Sequence, residues 1–338
     1  MHEETSKKLV LFPLLICIIG TVFAFFIGIY ASFGGKIQEK EVYTDKLSRV
    51  NSKEFRSLMI ESMAKFGAKD TYAIVKKAYK DKESEKHNFV HIFGEELYNF
   101  QGLAGIGVCD STFLFACFHG FMSRALGTGG VSILPELSRA CVSARGERTQ
   151  ACMHGAGHGL VEYMGTRKIK DAIAFCAQFG VKQKTMNGCV GGAIMEYNFG
   201  SPGENSALIP RPTSGSFTYP CNILDKDLSA SCYFEQMQWV LKATGNDMGK
   251  AEDVCASLEG IDRIFCFRGI GNFSVVIDFD VAAARKRCDN IEEKTGIDDC
   301  KIGAAGSYMA VKNDWKTARK LCEDIDNSLM SLCPLEKL

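Results

Sequence analysis

The sequence is poor in the features that would name a chemistry outright. Its 40 basic and 40 acidic residues cancel to a formal net charge of zero, so no broad basic face argues for a nucleic-acid partner, and none is expected. No G-x-S-x-G elbow, Walker loop or HExxH motif is present, which leaves serine hydrolase, nucleotide-hydrolase and zincin readings without direct support. GIGNF and GAGHG are glycine-rich but lie in helical sequence and lack the preceding strand a dinucleotide site needs. There is no C-x-x-C-H for covalent haem and no C-x2-4-C spacing for a zinc–thiolate site. Histidine is scarce, with six residues in 338, and proline scarcer than usual at seven.

One long apolar run stands out. Residues 9–30, LVLFPLLICIIGTVFAFFIGIY, carry no charge and are long enough to cross a hydrocarbon core about 30 Å thick. Lys7 and Lys8 precede the run and the following flank is mixed in sign, which favours a cytoplasmic segment 1–8 and an exported body. A cleaved signal peptide is the alternative, although its apolar region normally spans only about 7–15 residues. The expectation is a single-pass N-terminal anchor at 9–30, a polar stalk at 31–49 and an extracytoplasmic domain at 50–338, in a periplasmic, extracellular or lumenal compartment.

What the chain has in quantity is cysteine. Setting aside Cys17, which lies inside the apolar run, 14 cysteines fall into two interleaved series. One is Cys117, Cys152, Cys189, Cys232, Cys266, Cys300 and Cys333; the other is Cys109, Cys141, Cys176, Cys221, Cys255, Cys288 and Cys322. Steps within the first are 35, 37, 43, 34, 34 and 33 residues, the length of a helix–turn–helix repeat. Each member of the second precedes one of the first by 8 to 13 residues.

The flanks give the same unit. Ala-rich helical stretches such as KDAIAFC and WKTARKLC lead into the earlier cysteine. Polar linkers such as ASLEGIDRIF follow, and small-residue helices such as CVGGAIMEY and CFRGIGNFSV begin at the later one. Connectivity is open at this point, and pairing between neighbours across each turn is the simplest choice. Cysteines so used belong in an oxidising compartment.

Over roughly residues 103–337, this Ala-rich helix, Cys, turn, Cys, Gly/Ala-rich helix pattern resembles the Sel1-like, tetratricopeptide-type cysteine-rich repeats. The spacing here is longer, and that family's Leu-Tyr-Gly-x-Gly signature is not visible, so the likeness implies architecture and not activity. The fold expected is all-α: disulfide-stapled helical hairpins in an α-solenoid or α/α toroid behind the membrane helix. DTYAIVKKAYKDKESEKHNFVHIFGEELY reads as a first repeat without cysteines, and residues 50–66 as a further helix. Residues 200–220 hold four of the seven prolines and replace one helix with a loop. Glycine recurs three residues after the cysteine at Gly120, Gly155, Gly192, Gly269 and Gly303, which suggests close approach of helices in an inner layer.

The histidines carry the functional expectation. Apart from His2, all lie in three segments. His87 and His91 stand at i and i+4 with Glu95 at i+8; His154 and His158 repeat that pattern with Glu162; His119 follows Cys117 by two. Residues four apart share a helix face, and His119 and His154 occupy matching places in consecutive repeats. Imidazoles with a carboxylate are a ligand set for zinc, iron or copper, so a divalent transition metal is the expected cofactor. Glu162 or Glu95 is the candidate general base for a metal-bound water, with hydrolysis the reaction class. Polar and aromatic residues elsewhere on the later helices, Glu196, Glu235, Gln238, Trp239, Arg268 and Asn272, are candidates for a ligand-binding concave face. On that reading the chain is a non-catalytic scaffold for a peptide or protein partner. A third reading is a pH sensor, since clustered histidines charge near pH 6.

Overall fold

A computed structural model describes residues 37–82, 85–145, 150–179, 188–200, 211–212 and 214–333. The anchor read at 9–30 and the segment before it lie outside the described residues. Among the described residues, no helix is long and apolar enough to cross a membrane, and none forms a strand.

The fold is all helical. A first helix, α1 (37–47), is followed by α2 (Ser52–Phe66), α3 (Ala68–Ala78), α4 (His87–Gln101), α5 (Ala116–Gly129), α6 (Leu134–Arg145), α7 (Gln150–Met164) and α8 (Ile169–Cys176). Then come α9 (Gly188–Phe199), α10 (Lys226–Ala243), α11 (Met248–Ala256), α12 (Gly260–Val276), α13 (Val281–Asp289), α14 (Lys294–Lys312) and α15 (Trp315–Arg319). Local sequence sets several boundaries. Asn51 caps α2 and exchanges hydrogen bonds with Glu54, a full capping box, and Asp247, Asp280 and Asp314 cap α11, α13 and α15.

All seven neighbouring cysteine pairs are joined, with Cα atoms 5.4–6.5 Å apart. The staples sit differently from the expected pattern in one respect. Cys232, Cys266 and Cys300 lie one to two turns inside α10, α12 and α14 and do not begin them. The linkers ASLEGIDRIF and DNIEEKTGIDD therefore supply the first turns of α12 and α14. Their polar residues hide the helical period because several are spent on neighbouring elements: Asp262 accepts from the Ser229 hydroxyl, Asp299 pairs with Arg268, and Asp298 accepts from the Asp326 backbone N–H. The segment before Cys109 is a 3-10 helix, Gly102–Val108, where an α-helix was anticipated.

Helices that follow the turns, α4, α5, α7, α9, α10, α12 and α14, pack each against the next and form a continuous inner layer. Glycine permits this. A Cβ on Gly120 would lie 1.8 Å from the His91 carbonyl oxygen, and one on Gly94 would lie 2.2 Å from that of Cys117. The same mutual fit recurs for Gly192 on His154 with Gly157 on Cys189, and for Gly303 on Arg268 with Gly271 on Cys300. The recurring glycines are thus contact points where one backbone lies against the next.

Two further segments differ from the sequence reading. Residues 37–47 of the presumed polar stalk are helical and bury Tyr43 and Leu47 against the body; Tyr43 also hydrogen-bonds Glu61. Polar residues dominate that segment because only one edge of the helix docks. Of the loop at 200–220, positions 201–210 and 213 lie outside the described residues. The part that is described folds back over α9 and α10, where Gln236 donates to the carbonyls of Phe217 (3.1 Å) and Tyr219 (2.9 Å).

Candidate metal centre

Five imidazoles from α4, α5 and α7 meet where these helices are held together by the glycine contacts. His87 and His91 are one turn apart on α4, and their Nε2 atoms lie 3.0 Å apart. His119 on α5 brings Nδ1 to 3.3 Å from His91 Nε2. His154 and His158, one turn apart on α7, place their Nε2 atoms 3.2 Å apart. Two triads result, His87–His91–His119 and His119–His154–His158, in each of which one ligand atom per residue falls within 4.8 Å of the others. Nitrogens sharing one zinc ion at about 2.0–2.1 Å in tetrahedral geometry stand about 3.3 Å apart, close to the spacings here.

The outer edges of three of these rings are tied down. His87 donates Nδ1–H to the Phe113 carbonyl at 2.7 Å, His158 donates Nδ1–H to Glu196 Oε2 at 2.8 Å, and His154 hydrogen-bonds the backbone of Gly188. An imidazole that spends its N–H outward turns a lone pair inward, the arrangement by which outer partners orient metal-ligating histidines. The Phe113 carbonyl is aimed by unusual backbone. Phe113, Leu114 and Phe115 all have positive φ (59°, 54° and 65°), a conformation costing roughly 1–2 kcal/mol for each non-glycine residue. The short loop closed by Cys109–Cys117 and burial of the Phe113 ring hold it there. Strain of this kind concentrates where a site requires a particular geometry.

Burial also favours the uncharged form of four of the imidazoles. Desolvation lowers the pKa of His87, drives those of His91 and His119 well below the usual histidine value, and takes His154 down to about 3. Mutual repulsion among the rings adds to this. Neutral imidazoles are the ligating form, so protons compete little for the lone pairs.

The two candidate bases are placed differently. Glu162 is half-buried, accepts from the Ser123 hydroxyl, and has its pKa raised by burial, with the nearby charges of Glu196 and Glu95 adding to the effect. Glu95 is engaged by Arg56 at 2.7 Å, and Arg56 also pairs with the neighbouring Glu96. Of the residues read as a concave ligand face, Glu196, Glu235, Trp239 and Asn272 are buried between helices, and Gln238 is partly covered. Arg268 is already paired with Asp299 at 3.0 Å and lies over the Phe265 ring. Glu196 instead joins the histidine centre as the outer partner of His158. The centre also recruits groups the sequence did not flag: the Phe113 and Gly188 backbones, Ser123, and Arg56. Backbone acceptors leave no side-chain signature, and Arg56 belongs to a helix remote in sequence from the cysteine comb.

Away from the centre, Glu235 is buried with Oε2 lacking a hydrogen-bond partner, and burial pushes its carboxyl from 4.5 up to about 7. Since the folded value lies above the unfolded one, the neutral acid supports the fold fully below about pH 4.5, and that support is lost as pH rises through 7. Glu235→Gln keeps the shape without the charge. It is expected to raise stability at pH 8 by roughly 1–3 kcal/mol and to leave it nearly unchanged at pH 4. Urea melts at the two pH values check this; equal effects of the substitution at both would contradict it.

Comparison with protein-family models, with curated proteins and with solved structures finds no match for this chain.

Proposed function

We propose that this chain is an exported, membrane-anchored helical-repeat protein that binds a divalent transition metal in the histidine centre of its inner layer. The observation that carries this reading is the His154–His158 pair. Both rings are tied outward, to Gly188 and to Glu196, so two lone pairs face each other 3.2 Å apart in a buried site. That juxtaposition is repulsive unless a cation lies between them. Burial opposes a proton on His154, and a metal ion between the two nitrogens satisfies both lone pairs at once. Nitrogen-only sets suit zinc, copper and iron.

Three protein ligands per ion leave a position open for water, the pattern of catalytic and not of structural zinc sites. The finer reading is therefore a metal-dependent hydrolase, with Glu162 as general base. Glu95 serves in it as the ion-pair partner of Arg56. Seven disulfides support an oxidising, extracytoplasmic location, and the apolar run 9–30 supports a single-pass anchor. The hairpin array, in which each inner helix packs against the next, resembles the Sel1-like repeat architecture.

Metal analysis of the purified chain tests the reading. The wild type is expected to retain zinc, copper or iron in stoichiometric amount after dialysis against a weak chelator. His154→Ala combined with His158→Ala is expected to lose at least half of it while keeping its helical circular dichroism. A wild type free of stoichiometric metal overturns the proposal and leaves the repeat array as a binding scaffold.

A further inference from the structure

Two triads drawn from five imidazoles require one ring to serve twice, and that ring is His119. Its Nδ1 faces His91 Nε2 at 3.3 Å. Its Nε2, on the other edge of the ring, is fully buried and has no hydrogen-bond partner. The His119 ring centroid lies 5.4 Å from that of His87 and 5.2 Å from that of His91, and 5.5 Å from His154 and 4.2 Å from His158. Imidazoles bound to one tetrahedral ion at about 2.0–2.1 Å have centroids about 5 Å apart. His119 therefore stands at a ligand's distance from both pairs, with one nitrogen engaged on the first side and the other left unmet inside the protein.

We propose that His119 bridges two divalent metal ions as an imidazolate, one ion held with His87 and His91 through Nδ1, the other with His154 and His158 through Nε2. The inference rests on the metal-binding reading above and adds the number of ions and the link between them. The step balances without an oxidant or reductant. Neutral His119 carries one N–H and one lone pair. The lone pair takes the first ion. Binding of the second breaks the N–H bond, the electron pair stays on nitrogen and forms the new nitrogen–metal bond, and the proton leaves to solvent. The negative imidazolate offsets part of the charge that two dications bring into a buried site, and the carboxylates of Glu162 and Glu196 lie close enough to offset more. Each pair on its own helix then closes around its ion, and loading locks α4, α5 and α7 together through a single ring.

Copper(II) is a suitable probe because two copper ions joined by an imidazolate couple magnetically. The full chain, with disulfides intact and metal removed, is titrated with copper(II) and followed by metal analysis and electron paramagnetic resonance. The expected result is two copper ions per chain, with a resonance intensity at full loading far below that of two independent ions at low temperature. One additional proton per chain is released between the first and second equivalents. His158→Ala, which leaves the first triad whole, is expected to bind one copper with full, uncoupled intensity. A wild type that binds one copper, or two with independent signals, overturns the bridge while leaving metal binding intact. A wild type that binds none overturns the bridge and the metal-binding reading together. The decisive result comes from the wild type, so it does not depend on how well any variant folds.

Discussion

Gly120→Ala is expected to destabilise the protein by about 3 kcal/mol or more, and Gly127→Ala, seven residues along the same helix, to leave it unchanged or slightly more stable. The two substitutions add the same methyl group to the same α5. At Gly120 the new carbon would sit 1.8 Å from the His91 carbonyl oxygen, and 2.8 Å from the His91 Cα. Both are backbone atoms, with no flexible side chain to swing aside, so α4 and α5 would have to separate by more than an ångström. At Gly127 nothing lies within 4 Å, and the intrinsic helix preference of alanine, about 1 kcal/mol over glycine, is free to act. Separation of α4 from α5 also displaces His91, so Gly120→Ala is expected to weaken metal binding as well as folding. Thermal melts of the two variants decide the matter. Equal melting temperatures would show that the inner helices do not meet backbone to backbone.

Glu196→Ala is expected to weaken metal binding by 10- to 100-fold while leaving the helical content unchanged. Glu196 is almost completely buried, on α9, and its Oε2 takes the Nδ1–H of His158 at 2.8 Å. The carboxylate fixes the tautomer that turns Nε2 inward and raises the basicity of the ring. Removal of the acceptor leaves a buried N–H without this partner and frees the ring to rotate. Glu196→Gln retains an acceptor oxygen and loses the charge, so it is expected to fall between the wild type and the alanine variant. Competition titrations against a chromophoric chelator give the affinities. An alanine variant that binds as tightly as the wild type would show that the ring is set by packing alone.

Much of this architecture is written in the spacing of the cysteines. Their regular comb sets the repeat, places one staple per hairpin and orders the partners, because adjacent antiparallel helices bring chain neighbours within disulfide reach. The glycine three residues after five of the seven later cysteines was equally legible, since a costly residue repeated at one register of a helix implies a neighbour at close range. The histidines were legible as stripes on α4 and α7. Their convergence through His119 was foreshadowed by its matching place in consecutive repeats.

Other features could not be read in advance. The helix at 37–47 docks along one narrow edge through Tyr43 and Leu47, and its polar composition gave it the look of a tether. Glu235, Trp239 and Asn272 looked like surface candidates because polar and aromatic residues on a glycine-rich helix have no fixed side; the tight packing of α9, α10 and α12 enclosed them. The left-handed turn at Phe113–Phe115 contains no glycine or asparagine to announce it. It exists because a short disulfide loop and a buried aromatic ring outweigh the local preference of the chain.

Zinc K-edge X-ray absorption on the zinc-loaded chain tests the metal centre most directly. The account predicts a first shell of nitrogen and oxygen alone at about 2.0–2.1 Å, with the outer-shell scattering of several imidazoles and no sulfur, because all 14 cysteines of the comb are joined in pairs. A sulfur shell near 2.3 Å, or a spectrum without imidazole scattering, would contradict it.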